Sequence, residues 1–327
     1  MLRTPVCDVL GIDVPIIQAG MGVWTGADLV AAVSNAGALG SLGAAGRTAE
    51  ALRDELTRLR PLTDRPFAVN FTLPMLTEEA FAVALAARPA VISFALGQPG
   101  SLVGRAHGAG CSVVQQVHTV AQAERSAAEG ADVLIAQGGE AGGFGGTIGA
   151  MALVPQVVDA VAPLPVLAAG GIGDGRGVAA ALVLGAQGAN VGTRFLASAE
   201  APIGAAWKHA LTTAAAEDAI KVAVWDDIFP LPNDGPYGEY YPVVPRALRT
   251  PFIDTWQGRR DEARREAERL RGEVGGAVQE GRMEEAVPFT GQSAGLLREV
   301  LPAAEIVRRL VAEAEAALRP VAALTAE

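Results

Sequence analysis

The chain has 327 residues, of which 50% are hydrophobic and 19% charged. This composition supplies enough apolar surface for a large folded core and excludes a disordered chain. The formal net charge of −10 disfavours nucleic-acid binding through a basic face. The 2 cysteines and 3 histidines are scattered along the chain. They therefore predict neither a disulfide framework nor a metal site.

The first residues lack the charged head and apolar run of a signal peptide. No uninterrupted apolar stretch reaches about 18 residues, the length that spans a bilayer. We therefore expect a cytoplasmic protein with no membrane partner, and the pattern indicates no particular oligomeric state.

The first two hundred residues alternate between short apolar runs and stretches of helical periodicity. Runs that are apolar throughout are typical of parallel strands covered by helices on both sides. Eight such strands favour a (β/α)8 TIM barrel over an open doubly wound sheet. The predicted strands are 15–19, 38–42, 67–71, 91–94, 112–117, 133–136, 165–168 and 189–192. The predicted helices are 26–36, 48–59, 77–87, 100–109, 120–129, 150–161 and 174–185.

The sequence changes character after the eighth strand. Residues 202–224 predict one helix, 225–251 an irregular segment, and 254–285 a charged helical stretch. Residues 302–318 predict a last amphipathic helix. We therefore expect a TIM barrel of residues 1–201 and 286–327, with a small, mainly helical lid lobe of residues 202–285. All 3 tyrosines lie in the irregular segment, where we expect them to pack the lobe onto the barrel: Tyr237, Tyr240 and Tyr241.

Glycines cluster where the predicted strands end, at the rim that carries the active site in β/α barrels. Gly170 and Gly171 follow strand seven, and Gly192 and Thr193 follow strand eight, the two loops that often bind phosphate. The loop after strand six holds six glycines in residues 137–146 and begins with Gln137. A phosphate rim, a flat backbone surface and side-chain amides predict FMN. A phosphosugar enzyme would need a charged base here, and the rim contains no lysine.

Six segments carry a resemblance that covers nearly the whole chain. They are PIIQAGMG, VNFTLP, QVHTVAQA, ADVLIAQGGEAGG, PVLAAGGIGDGRGVAAALVLGAQGANVGTRF and GQSAGLLREVLPAAEIV. Together they resemble the nitronate monooxygenase family of FMN-dependent barrels. The resemblance extends more distantly to flavin-dependent enoyl-ACP reductases and NADH:quinone reductases. It implies FMN, no metal, and a site beneath a small lobe.

The resemblance also implies which residues contact the cofactor. Gly20 and Met21 would lie against the isoalloxazine ring. Ser293, in the segment that returns to the flavin, would hydrogen-bond the substrate or cap the next helix. The implied FMN contacts are Gly20, Met21, Asn70, Gln137, Gly142, Gly171, Asn190, Val191, Gly192 and Thr193, to which the barrel argument adds Gly170.

One position departs from the family pattern. The loop after strand six usually reads EAGGH, and here Phe144 replaces the histidine. Phenylalanine cannot accept a proton, so removal of a proton from a neutral nitroalkane loses its base, whereas an anionic nitronate needs none. Phe144 would then form part of the substrate pocket wall. His118, at the end of strand five, is the candidate to replace the histidine, although a structural histidine is the more common case.

Three functions remain open from the sequence. The first is an FMN-dependent oxidoreductase of the nitronate monooxygenase type, which oxidises a nitronate or a related small or natural-product substrate with O2. The alternative is an FMN-dependent NAD(P)H:quinone or enoyl reductase, in which the flavin performs the hydride chemistry. The third is a flavin-binding protein without turnover, which only the missing histidine favours.

Overall fold

The computed structural model describes residues 2–231 and 243–323. Short runs of Val, Ile, Leu and Ala form strands that are buried on both faces, as continuous apolar runs predict. The strands in this part of the chain are β1 Ile16–Gln18, β2 Gly40–Gly43, β3 Phe67–Thr72, β4 Val91–Ala95, β5 Ser112–Val117, β6 Val133–Gln137, β7 Gly143–Gly145, β8 Val166–Ala169, β9 Ala189–Val191, β10 Ala219–Lys221 and β11 Val244–Leu248.

Within the described residues, eight of these strands form one parallel sheet in the order β1-β9-β8-β6-β5-β4-β3-β2. A parallel bridge between Ile17 and Leu39 joins β1 to the segment that enters β2, and so closes the sheet into a barrel. The predicted α/β barrel is confirmed. Each predicted barrel strand lies within two residues of the observed one.

Helices surround the barrel and continue into the region beyond it. The seven helices predicted between the strands are present, and a short additional helix precedes β1. The helices are α1 Val6–Leu10, α2 Ala27–Asn35, α3 Ala49–Leu59, α4 Glu78–Ala87, α5 Ser101–Gly108, α6 Val120–Ala128, α7 Ala150–Val161, α8 Gly175–Val183, α9 Thr193–Leu196, α10 Ala205–Thr213, α11 Trp225–Ile228, α12 Pro251–Gln257, α13 Arg260–Arg265, α14 Ala267–Gln279 and α15 Ala303–Ala323.

The two ends of the chain complete the barrel. Helix α1 buries Val6, Cys7 and Leu10 against the apolar side chains inside the barrel and covers its amino-terminal end. Helix α15 packs against α8 and α2 and closes the ring of helices. The carboxyl ends of the strands are thereby left as the open end of the barrel.

The single helix predicted over residues 202–224 is wrong. The chain there forms α10, a 3-10 turn over Ala216–Asp218 and the strand β10, and α11 begins directly after this range. The carboxylate of Asp218 accepts a hydrogen bond from the backbone N–H of Ala215 at 2.8 Å and stabilises the turn. Strand pairing of Ala219 with Leu248 then outweighs the helical propensity of this alanine-rich segment.

Strand β10 belongs to a second sheet that the sequence analysis missed. This sheet is antiparallel and has the order β10-β11-β7. Strand β7 lies in the glycine-rich loop after β6, and Phe144 pairs there with Pro245 of β11. The predicted helical stretch 254–285 divides into α12, α13 and α14. The second sheet therefore ties the barrel rim to the region that follows residue 201.

The division into a barrel of 1–201 and 286–327 and a lobe of 202–285 stays a prediction. The predicted contacts of Tyr237, Tyr240 and Tyr241 lie outside the described residues. In the part of the chain that the structure describes, no helix has the length and apolarity required to cross a bilayer.

Candidate active site

A cavity of about 570 Å³ lies at the open end of the barrel. Its floor consists of barrel strands and the loops that follow their carboxyl ends, where β/α barrels place their active sites. All the predicted cofactor contacts line it, and whether they bind a cofactor stays a prediction. They are Gly20, Met21, Asn70, Gln137, Gly142, Gly170, Gly171, Asn190, Val191, Gly192 and Thr193. The predicted substrate residues Phe144 and Ser293 line it as well.

Side-chain amides lie in the floor, and those of Gln137 and Asn70 have informative surroundings. Gln137 is the last residue of β6, and its Oε1 atom is buried without a hydrogen-bond partner among the described residues. Asn70 donates a hydrogen bond from Nδ2 to the hydroxyl of Ser93 at 2.8 Å, which orients its amide. A buried amide oxygen without a partner costs free energy, so the Gln137 position favours a ligand that donates a hydrogen bond to it.

Glycines in the floor allow close backbone contacts. A Cβ atom at Gly20 would lie 2.4 Å from Cβ of Asn70, and one at Gly142 would lie 2.5 Å from the backbone nitrogen of Gly291. Gly170 and Gly171 have φ values of 95° and 74°, which L-residues with side chains rarely adopt. The floor therefore presents bare backbone where a flat ligand would need it.

The segment that follows Phe289 returns to this floor. The backbone N–H of Gly291 donates to the hydroxyl of Thr193 at 2.9 Å. The backbone N–H of Gln292 donates to the carbonyl oxygen of Glu140 at 3.0 Å. Ser293 is buried within a 3-10 helix over Gln292–Leu296 and faces the cavity. Residues distant in sequence therefore form one continuous wall.

Charged side chains hold the glycine-rich loop in place. The carboxylate of Glu140 accepts from the backbone N–H of Ala150 at 3.0 and 3.1 Å. The ammonium of Lys221 donates to the carbonyl oxygens of Gly145 and Gly146, at 3.0 and 3.1 Å. Arg246 donates to the carbonyl oxygen of Gly139 at 2.9 Å. The sequence analysis did not identify Lys221 or Arg246 as supports of this loop. The one signal in the sequence was the position of Lys221 within an apolar run, AIKVAV.

Burial lowers the pKa of Lys221 to about 8, and the nearby positive charge of Arg246 adds to this effect. Burial of a charged lysine costs free energy, and the hydrogen bonds that Lys221 donates to backbone carbonyl groups offset part of that cost. The contact supports the loop and lies behind the cavity wall.

The sequence matches the nitronate monooxygenase family over residues 3–81 and 77–313. Among curated relatives, the nitronate monooxygenase of Pseudomonas aeruginosa is 36% identical over 365 residues, with 93% of this chain and 97% of the relative covered. The chain belongs to the nitronate monooxygenase family. This is a family of oxidoreductases.

Other proteins that are similar to this chain have names that indicate different reactions. The Mycobacterium tuberculosis (3aS,4S,5R,7aS)-5-hydroxy-7a-methyl-1-oxo-octahydro-1H-indene-4-carboxyl-CoA dehydrogenase is 43% identical over 206 residues, 62% of this chain. The match spans 58% of that relative's length. The structure resembles FabK of Thermotoga maritima with a TM-score of 0.89 at 33% identity, covering 99% of this chain and 100% of that one. It resembles a nitroalkane oxidase of Streptomyces ansochromogenes with a TM-score of 0.82 at 29% identity, covering 97% and 99%.

Phe144 lies in the loop after β6, at the position where the sequence analysis expects a histidine in this family. Its ring lies in the cavity wall, with ring centroids 5.7 Å from Phe289 and 6.4 Å from Trp225. None of the lining residues within the described ranges is Asp, Glu, His, Lys, Arg, Cys or Tyr. The described wall therefore supplies no side chain that could act as a general acid or base.

His118 does not line this cavity. Its side chain is 2% exposed and lies behind the glycine-rich loop, where a Cβ atom at Gly146 would be 3.1 Å from its own Cβ. The pKa of His118 is lowered to about 4. Burial is the main cause and the positive charge of Lys221 acts in the same direction, whereas a hydrogen bond with the backbone of Gln137 opposes them. This geometry is that of a structural histidine, and we do not propose that it transfers protons.

The lowered pKa of His118 predicts a pH-dependent stability. Between its ordinary pKa of 6.5 and the folded value of about 4, the unfolded chain binds a proton that the folded chain does not. The free energy of unfolding should therefore fall by about 2 kcal/mol from pH 7 to pH 5 through this group. His118→Leu should remove that part of the slope, and His209→Gln, at an exposed position, should not. Denaturant titrations at both pH values measure it, and an unchanged slope in His118→Leu would contradict the assignment.

Proposed function

We propose that this chain is an FMN-dependent oxidoreductase of the nitronate monooxygenase type. FMN would supply a redox-active ring that accepts and donates electrons. The proposal is supported by the fit of the cavity floor: a partnerless buried amide oxygen on Gln137, an oriented amide on Asn70, and bare backbone at Gly20 and Gly142. Membership of the family supports it independently.

The chain's own residues would hold the two ends of FMN differently. Gln137 would accept a hydrogen bond from the ring, and the backbone near Gly142 would lie against its face. The glycines at positions 170, 171 and 192, together with Thr193, would surround the phosphate, because backbone N–H groups free of side chains can approach an anion closely. These roles leave the wall around Phe144 to the substrate.

The preferred substrate chemistry is the oxidation of a nitronate with O2. The observation that carries this choice is the absence of an ionisable side chain among the described lining residues. A nitroalkane must lose a proton from carbon before it reacts, whereas a nitronate has already lost it. The substrate would therefore arrive in its reactive ionisation state, and the protein would bind it, orient it and exclude water.

A second candidate is an NAD(P)H-dependent reductase of an enoyl group or a quinone. The apolar cavity wall favours it, since neutral acceptors need no charged partner. The likeness to FabK, with a TM-score of 0.89, supports the same candidate. In this reaction too, the side chains would mainly position the reactants.

The test begins with the visible spectrum of the purified protein. We expect flavin absorbance, and we expect Gln137→Leu to weaken FMN binding by about tenfold, the effect of losing one hydrogen bond to a buried partner. Anaerobic mixing with ethyl nitronate should bleach the flavin. Bleaching by NADH or NADPH, with no response to the nitronate, would favour the reductase. A colourless protein that cannot be reconstituted with FMN would overturn the proposal.

A further inference from the structure

The cavity extends well beyond the residues predicted to hold FMN. Its upper wall is aromatic and consists of Trp24, Phe144, Trp225, Phe229 and Phe289. Trp225 lies between two of these rings, with centroids 4.4 Å from Phe229 and 4.9 Å from Phe289. Such a wall favours apolar groups and offers no compensation for a desolvated charge.

Helix α14 forms the opposite side of this upper space. Val274, Gly275, Val278 and Gln279 line the cavity and occupy one face of the helix. A Cβ atom at Gly275 would meet no heavy atom within 4 Å, so open space lies beside the helix at this point. Glycine inside a helix costs about 1 kcal/mol relative to alanine. The helix therefore carries that cost beside open space within the cavity.

We propose that this upper space, between α14 and the aromatic wall, binds a bulky, uncharged hydrocarbon part of the substrate. A carbocyclic ring or a branched alkyl group attached to the reacting atom fits this chemistry. A carboxylate placed in this upper space does not, because the described lining residues hold no cation to pair with it, whereas an anionic reacting group would lie at the floor beside the amides of Asn70 and Gln137. This inference rests on the proposed function for the identity of the reacting group, and on the cavity wall alone for the rest of the substrate.

The experiment compares two ligands of similar shape, trans-4-methylcyclohexanecarboxamide and trans-4-carboxylatocyclohexanecarboxamide, with the full-length protein; they carry the same amide and differ only at the far end of the ring. Binding is followed by the shift in flavin absorbance and, independently, by the fluorescence of the tryptophans, two of which line the cavity. We expect the neutral ligand to bind at least about tenfold more tightly than the anion, since only the anion loses the hydration of a charge. Equal binding of the two ligands would overturn the inference.

Position 275 offers a matched control on its own helix. Gly276 is the next residue after Gly275, and a Cβ atom at Gly276 also meets no heavy atom within 4 Å. Gly276 does not line the cavity. Gly275→Leu should weaken binding of the neutral ligand at least about tenfold by filling the space, whereas Gly276→Leu should change it less than about twofold. Equal effects of the two substitutions would contradict the placement. If Gly275→Leu does not fold, Gly275→Ala should still weaken binding relative to Gly276→Ala.

Kinetics separate this inference from the proposed function. Cyclohexyl nitronate should have a higher kcat/KM than propionate 3-nitronate in the wild type, and Gly275→Leu should reverse the order. If no nitronate reacts but the neutral ligand binds as described, the proposed substrate chemistry fails and the inference stands. If propionate 3-nitronate reacts best and the carboxylate ligand binds as well as the neutral one, the inference fails and the proposed function stands.

Discussion

Phe144→His should give this protein activity toward neutral nitroalkanes. The substitution places an imidazole in the cavity wall, where the described residues offer no other ionisable side chain. Surrounding apolar groups favour the neutral imidazole, which is the form that accepts a proton. A positioned general base contributes about 10²- to 10⁴-fold in rate. We therefore expect anaerobic flavin reduction by nitroethane to accelerate by a factor in that range.

The control is a polar residue that cannot act as a base. Phe144→Gln should open the same space and admit water, but nitroethane should still fail to reduce the flavin. Ethyl nitronate should react with wild type and Phe144→His at rates within about tenfold, because its proton is already lost. Rapid reaction of the wild type with nitroethane would show that another group supplies the base.

The barrel could be predicted because its signal is local. Continuous apolar strands such as Val133–Gln137 follow from burial on both faces, and each helix between strands carries its own periodicity. Parallel strands also place their carboxyl ends at one rim. The cavity floor around Asn70, Gln137 and Gly170 could therefore be anticipated from strand order alone.

The region after residue 201 could not be predicted in the same way. Strand Ala219–Lys221 follows directly on an alanine-rich sequence that favours helix, and it forms a strand by pairing with Val244–Leu248. A second pairing of Val244–Leu248, with β7, brings Pro245 opposite Phe144. The first pairing joins residues about 25 to 29 positions apart and the second joins residues about a hundred positions apart, so a local sequence pattern does not reveal either of them.

The position of His118 relative to the cavity could not be predicted from the sequence either. A residue at the end of a barrel strand points toward the rim, but the loop after the next strand decides whether it reaches the cavity. Here Gly146 and the residues around it cover the side chain. That loop is held by Lys221 and Arg246, which come from the second sheet. The exclusion of His118 from the cavity thus follows from tertiary contacts.

Gly142→Ala should reduce cofactor binding and should also destabilise the folded apoprotein. The added methyl would lie 2.5 Å from the backbone nitrogen of Gly291 and 2.6 Å from the carbonyl carbon of Thr290. These are backbone atoms that cannot rotate away, so the two segments of the floor must separate. Overpacking of this kind costs about 1–3 kcal/mol in the folded protein. The part of that cost that the separated segments relieve in the apoprotein, and that FMN binding restores by bringing them together, appears as lost affinity of up to roughly 150-fold. Equilibrium titration with FMN measures the loss, and thermal unfolding measures the effect on the apoprotein.

Gly291→Ala tests the same contact from the other side. Its methyl would lie 2.8 Å from the backbone nitrogen of Gly142, so it should weaken FMN binding comparably. The double variant should lose less affinity than the two single losses added together, because the first substitution already separates the segments. Gly104→Ala, where the methyl meets nothing within 4 Å, should bind FMN normally. Additive losses would mean that the two glycines act through separate contacts, and the floor would then not be one surface.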